Sequence, residues 1–190
     1  MKEDLKLEEV LKHLDSVRKL TPECLDYLRQ GVKKQEVRKD EVLLKVGDIN
    51  TRLYFVYTGF LHCFYFVGEK EVSDGFSFEK DLVVSIGSFY DQVPGEDCLV
   101  AMEDSLLYSI TRDQYEFLCE EHHCFSNLAR ILLQTYLVTY HAHPRFIRKH
   151  SAAECIDMAR AKFGHLFYRI PRAPIASWLG MEPETFSRNQ

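Results

Sequence analysis

Glu184 and Arg188 stand four residues apart in the stretch Pro183-Glu-Thr-Phe-Ser-Arg-Asn-Gln190, a spacing that puts both on one face of a helix. An arginine so placed can bind guanine O6 and N7 in two-pronged fashion, and a glutamate can accept from cytosine N4. Those are the contacts of a protein that reads base edges in DNA. The pair is useful only if its short helix is held firmly against another. Ala176 is small where a second helix must cross, and Gly180, four residues later, adopts the positive φ of a turn without steric cost. Ile175, Leu179, Met181 and Phe186 are the apolar positions that would lock two helices together, and Pro174 and Pro183 each suit a first helical turn. A helical hairpin with these features is also found as a plain packing unit in enzymes. The rest of the chain has to decide between the two.

The chain has 190 residues, 46% of them hydrophobic, enough for one large domain or two small ones with a buried core. No run approaches the roughly 18 apolar residues that span a bilayer, so no membrane partner is expected. Met1-Lys-Glu-Asp-Leu-Lys6 is charged with no apolar signal core behind it, which predicts a cytoplasmic protein. Cys24, Cys63, Cys98, Cys119, Cys124 and Cys155 are scattered without a disulfide framework, and a cytosol would keep them reduced. Charge is unevenly spread. Arg145 to Gln190 holds eight Lys/Arg and four Asp/Glu, a balance of +4, while the residues before hold sixteen and twenty-five, or −9. An acidic body with a basic end suits a nucleic-acid contact confined to that end, although a small domain also drifts to such a balance by chance.

Leu5, Leu7, Val10, Leu11 and Leu14 have helical spacing, and a second short helix is predicted at about Thr21 to Gln30, with Thr21 as cap, Pro22 first and Gly31 beyond its end. Between Val32 and Ile110 the period changes to short β-rich runs at 41–45, 52–57, 61–67, 82–86, 98–102 and 105–110, broken by Gly47-Asp48, Thr58-Gly59, Gly68-Glu69 and Pro94-Gly95. This predicts an antiparallel sandwich or barrel, with a hairpin-like bend at Thr58-Gly59. After Thr111 the helical period returns. Phe125, Leu128, Leu132, Thr135 and Thr139 form one stripe, Ile131 and Val138 a second, and Pro144 ends or kinks the helix near His143. Two faces imply one packed on its own domain and one on a second copy, a parallel homodimer; a single broad face packed within a monomer is the alternative. Ser151 caps a further helix through Ala152 to Phe163 that Gly164 stops.

This order of parts resembles the Crp/Fnr superfamily of bacterial transcription regulators over nearly the whole chain, most closely its compact Bacteroidetes-type members. The resemblance is carried by Leu53-Tyr-Phe-Val-Tyr-Thr-Gly59, by Met102-Glu-Asp-Ser-Leu-Leu-Tyr-Ser-Ile110 and, most specifically, by Ile175-Ala-Ser-Trp-Leu-Gly-Met-Glu-Pro-Glu-Thr-Phe-Ser-Arg188. It implies an α+β protein: an N-terminal β jelly-roll, cyclic-nucleotide-binding-like sensor domain with a long dimerisation helix (about 112–143), together residues 1–145, and a helix-turn-helix DNA-binding domain at 146–190. It further implies a homodimer placing one recognition helix per subunit in successive major grooves of a pseudo-palindromic site on double-stranded DNA. Glu184 and Arg188 fall on base-reading positions, Thr185 and Ser187 are candidate phosphate or base contacts, and Arg172, with Arg169, is a candidate phosphate contact or a solvated surface residue.

Two departures qualify the resemblance. Members that bind cyclic nucleotides grip the ribose with Gly-Glu and the phosphate with an arginine followed by Ser or Thr. From Asp81 to Met102 this chain has no Lys or Arg but carries Asp81, Asp91, Glu96 and Asp97, so a desolvated phosphate is strongly disfavoured and control by cAMP is not expected. An unknown small-molecule effector remains open, with a candidate pocket around Gly87, Ser88 and Gly95. Phe64, Tyr65, Phe66, Phe76, Phe78, Phe89 and Tyr90 either line it or form barrel core. The second departure is at the end. The recognition helix runs only from Pro183 to about Gln190, roughly 12 Å, and Asn189 stands where an apolar anchor is expected. This leaves an alternative: a small-molecule-binding or interaction protein whose DNA-binding module is truncated and non-functional.

No cofactor is expected. Cys119-Glu-Glu-His-His-Cys124 places Cys119 and His123, or Glu120 and Cys124, on one helix face, but it lacks the paired Cys-x-x-Cys spacing of a closed zinc site. His141 and His143 suit a helix C-terminus. An iron–sulfur cluster would need grouped thiolates near the N-terminus, where only Cys24 lies in the first sixty residues. Neither a phosphate-cradling loop nor a nucleophile elbow nor a His-Glu-x-x-His motif is present, so an enzyme is not expected.

Overall fold

A computed structural model describes residues 4–190. The N-terminal apolar spacing becomes α1 (Leu5–Val17) and α2 (Pro22–Gly31). Thr21 caps α2 as its type predicts, its hydroxyl accepting from the Cys24 N–H at 3.3 Å, and Pro22 is the first helical residue. Gly31 falls inside the helix rather than past it.

Eight strands follow: β1 (Lys33–Val37), β2 (Val42–Leu44), β3 (Arg52–Thr58), β4 (Leu61–Val67), β5 (Lys70–Ser77), β6 (Leu82–Val83), β7 (Asp97–Ala101) and β8 (Ser105–Thr111). They form two four-stranded sheets in the orders β1-β8-β3-β6 and β2-β7-β4-β5, the double-sheet arrangement of a jelly roll. The observed pairings β1–β8, β2–β7, β3–β6 and β3–β8 are all antiparallel. Between the sheets lie Val37, Leu44, Tyr54, Val56, Leu61, Val83, Leu99, Ala101 and Leu107. Strand β8 is buried over nearly its whole length because helices cover its other face: Leu106 and Tyr108 meet Val10 of α1, and Ile110 joins the helical core.

The bend at Thr58-Gly59 has the expected positive φ, at +89° on Gly59. It is a corner, not a hairpin, since β3 and β4 lie in different sheets. The tight hairpin is the next one, β4–β5, across Gly68-Glu69 with φ +64° on Gly68. Strands β1 and β5 were not anticipated. They are polar, as outer strands of a sheet tend to be, and their apolar alternation is too weak to read locally.

A one-and-a-half-turn helix, α3 (Ile86–Asp91), interrupts the barrel where the strand at 82–86 was expected to continue. The helical stretch after β8 is two helices, α4 (Arg112–Glu121) and α5 (His123–Lys149), broken at His122, whose backbone is extended. Pro144 lies within α5 and does not end it. Then come α6 (Ala152–Phe163), with the Ser151–Glu154 capping box, a 3-10 turn at Gly164–Arg169, α7 (Arg172–Trp178) and α8 (Pro183–Arg188). The chain groups into two compact units: residues through Cys63 with Phe76–Leu133, and Phe64–Gly75 with Gln134–Gln190. Among the described residues no helix is long and apolar enough to cross a membrane.

One barrel residue is sensitive to pH. His62 on β4 is 3% exposed, with its ring stacked 5.1 Å from that of Phe76, and burial pushes its imidazole down to about 4. Between about pH 6.5 and 4 the unfolded chain binds a proton that the folded ring refuses. The stability from this group is therefore complete above about pH 6.5 and is lost as pH falls toward 4, by about 3 kcal/mol in total. Urea midpoints measured from about pH 7 to 4.5 should fall more steeply for the wild type than for His62→Gln. Equal slopes would rule out a buried neutral ring.

Candidate nucleic-acid interface

The last two helices meet through a turn built by hydrogen bonds. The Gly180 N–H donates to the Ser177 carbonyl at 2.9 Å and the Met181 N–H to the Ala176 carbonyl at 3.0 Å, closing α7 with a Schellman motif. The motif requires a left-handed residue, and Gly180 has φ +69°. Ile175, Ala176, Trp178 and Leu179 are buried, as is Phe186 of α8 at 1% exposure. Met181 is half-buried. Helices α6 and α7 both pack on α8, and the Phe186 ring lies 6.3 Å from that of Phe167. A Cβ at Gly180 would sit 3.1 Å from Cγ2 of Ile147 on α5. Gly180→Ala should therefore cost about 1–2 kcal/mol, from left-handed strain and that contact together. Thermal unfolding checks this, and an unchanged Tm would mean the turn is looser than the geometry implies.

With Phe186 turned inward, Glu184, Ser187 and Arg188 are exposed and Thr185 is half-buried. The Arg188 guanidinium lies along its own helix, donating to the Thr185 hydroxyl at 3.4 Å, a long and weak bond. Asn189 closes the helix: its side-chain amide donates to the Thr185 carbonyl at 2.8 Å. Arg172 is the first residue of α7 and is exposed, and Arg169 ends the 3-10 turn half-buried.

Three further supports of this head were not legible in the sequence. The His143 ring stacks 4.1 Å from Trp178, and its Nε2–H donates to the Trp178 carbonyl at 2.9 Å. Burial lowers the His143 pKa, the bond to Trp178 opposes that, and the nearby Lys162 charge adds to the lowering. Lys162 itself stands 5.0 Å above the Trp178 ring. Third, the β4–β5 hairpin reaches the same helices: the Ser73 N–H donates to the Ser177 hydroxyl at 3.0 Å, that hydroxyl donates to the Glu71 carbonyl at 3.4 Å, and Lys70 pairs with Glu182. A serine midway along α7 and a lysine in a polar strand give no local hint of such a contact.

The candidate effector residues lie around α3. Ser88 is 1% exposed, its hydroxyl accepting from the Asn50 N–H at 2.8 Å and donating to the Val93 carbonyl at 2.6 Å. The Ser85 N–H donates to Asn50 Oδ1 at 2.9 Å, and the Ser85 hydroxyl donates to Asp97 at 2.5 Å. Gly95 presses on this knot, since a Cβ there would meet the Ser88 Cβ at 3.1 Å, while Gly87 faces open space. The arginine bonded to α3, Arg112, spends its guanidinium on the Phe89 and Tyr90 carbonyls and on Glu116. The polar atoms of this region thus bind one another, and the carboxylate among them repels an anion. Of the seven rings named for the pocket, Phe64, Phe78 and Phe89 are buried and Phe66 is 47% exposed.

In the Cys119–Cys124 stretch, the His123 ring meets the Asn127 amide at 3.0 Å and the Cys124 thiol donates to Thr21 at 3.9 Å. Among the described residues no three His, Cys, Asp or Glu groups gather as metal ligands.

No protein-family model and no curated protein matches the chain. Solved structures do. FixK2 from Bradyrhizobium japonicum superposes with a TM-score of 0.74 at 16% identity, covering 83% of this chain and 82% of that one. CLP from Xanthomonas campestris, a c-di-GMP-responsive global regulator of virulence gene expression, gives 0.69 at 15% identity and 89% of each chain. A protein from Eubacterium rectale assigned to the crp/fnr family of transcriptional regulators gives 0.69 at 18%, covering 90% and 82%. At these identities the likeness is one of fold, and the fold is that of transcription regulators of the Crp/Fnr type.

Proposed function

We propose that the chain is a sequence-specific DNA-binding transcription regulator that grips a pseudo-palindromic site as a homodimer, with residues 1–145 as sensor and dimer scaffold and 146–190 as the reading module. The observation that carries this is the pairing of an inward Phe186 with an outward Glu184 and Arg188 on a helix anchored by a Schellman turn. That arrangement presents two base-reading side chains on a rigid support. Arg172, Thr185 and Ser187 supply phosphate or base contacts beside them. The test is selection of bound sequences from a random DNA pool at near-physiological salt. A two-fold symmetric motif is expected; a folded protein that enriches nothing, with or without cell extract, overturns the reading in favour of an interaction protein with an inactive DNA module.

Dimerisation is supported by α5. Leu133, Tyr136, Leu137 and Tyr140 follow a three- and four-residue spacing and are 36%, 42%, 63% and 53% exposed. Of the stripes the sequence suggested, Val138 is 71% exposed and Thr135 and Thr139 are exposed, while Phe125 and Leu128 are buried in their own unit. Leu137→Glu should convert the dimer to monomer in sedimentation velocity, because two buried charges would face each other across the seam. A dimer that survives the change would move the interface elsewhere.

Control by cAMP is not part of this reading. From Asp81 to Met102 no cation is present to hold a cyclic phosphate, and Ser85 and Ser88 are engaged with Asp97, Asn50 and Val93. An effector, if one acts, is of other chemistry.

A further inference from the structure

Cys24 and Cys124 are a hundred residues apart in sequence but meet where the first turn of α2 faces the first turn of α5. Cys24 is the third residue of α2 and fully buried; Cys124 is the second of α5 and partly exposed. One hydroxyl, Thr21 Oγ1, accepts both the Cys24 N–H at 3.3 Å and the Cys124 S–H at 3.9 Å. Both side chains pack in the same helical core with Leu20, Leu28 and Phe125. We propose that Cys24 and Cys124 form an oxidant-responsive pair that closes into an intramolecular disulfide on exposure to a peroxide, tying α2 to the start of the long helix.

The chemistry runs in two steps. Peroxide oxidises the partly exposed Cys124 thiol to a sulfenic acid, and one water leaves. The Cys24 sulfur then attacks that sulfur: the S–S bond forms, the S–O bond breaks, and the hydroxyl departs as a second water with the Cys24 proton. Two thiols lose two electrons and two protons, and one peroxide becomes two waters. Burial foremost, with Cys124 beside it, pushes the Cys24 thiol up to about 12. Its low thiolate fraction makes Cys24 resist direct attack by peroxide, which leaves the partly exposed Cys124 as the first point of oxidation. Cys119 packs on the same helical core and is the competing thiol, whereas Cys155 points at the His150 carbonyl.

The experiment treats the full, reduced chain with graded hydrogen peroxide, blocks remaining thiols, and maps peptides without reductant. The expected product is a Cys24–Cys124 peptide cross-linked within one chain, reversed by dithiothreitol, with Tm raised by several degrees because a loop of about 100 residues is closed. Cys124→Ser should abolish both the cross-link and the Tm rise. Sulfinic Cys124 beside an intact Cys24 thiol would overturn the proposal, as would a bond joining either residue to another cysteine. Because the wild-type map alone discriminates these outcomes, the test stands even if a Cys24 variant fails to fold.

Discussion

The double variant Glu184→Ala/Arg188→Ala should bind DNA without sequence preference, where the wild type is expected to enrich a symmetric site. Each lost base contact costs about 1–3 kcal/mol, so the pair removes about 2–6 kcal/mol of discrimination, or roughly 30-fold to 10⁴-fold. Both side chains are exposed and Phe186 stays in place, so the fold should not change, and circular dichroism would establish that. Phosphate contacts persist in the variant, which leaves salt-dependent, non-specific binding behind. An unchanged motif in the variant would remove Glu184 and Arg188 as readers. For Arg188 to reach a base its bond to Thr185 must break, and at 3.4 Å that bond is long enough to yield cheaply.

Gly59→Ala should destabilise the barrel by more than about 3 kcal/mol, the largest effect expected from a single methyl group here. Gly59 turns the chain from one sheet to the other with φ +89°, a conformation that costs an L-residue about 1–2 kcal/mol by itself. The larger part is steric. An added Cβ would fall 2.0 Å from Ser105 Oγ and 2.9 Å from Ser105 Cα, and Ser105 is held at the start of β8 with its hydroxyl on the Glu103 carbonyl. Backbone cannot rotate away as a side chain does. Gly68→Ala is the control, since its φ is +64° but nothing lies within 4 Å of the added carbon. Urea denaturation should show Gly68→Ala near 1 kcal/mol in cost (about the left-handed strain alone) and Gly59→Ala far beyond it. Equal losses would mean that the corner relaxes and the clash is not felt.

Several features were legible because their signals are local. Thr21 and Ser151 mark helix starts by hydrogen bonds to the first turn, and both are used that way. Gly180 marked the turn between α7 and α8 because only a positive φ closes a Schellman motif there. Phe186, with Glu184 and Arg188 on either side of it, divides a short helix into an inner and an outer face by spacing alone. The likeness to Crp/Fnr-type regulators rested on such local stretches, and the fold agrees with it.

Other features depend on partners far away in sequence, and no local pattern could reveal them. Strands β1 and β5 are polar and exist because β8 and β4 offer them hydrogen-bonding edges. Thr58-Gly59 reads as a hairpin, yet the two strands beside it pair elsewhere. The Ser88 hydroxyl is held by the Asn50 N–H and the Val93 carbonyl, partners that the residues beside it do not announce. The exposed stripe on α5 emerges only once the barrel and helices have covered Phe125 and Leu128. The amino-acid sequence alone thus determined the capped helix starts, the turn between α7 and α8 and the outward placing of Glu184 and Arg188, because each depends on contacts within a few residues. Tertiary structure decided the sheet order, the hydrogen bonds that join Asn50, Ser85, Ser88 and Asp97, the side chains left facing solvent and the meeting of Cys24 with Cys124, because those depend on pairings between segments that no short-range period encodes.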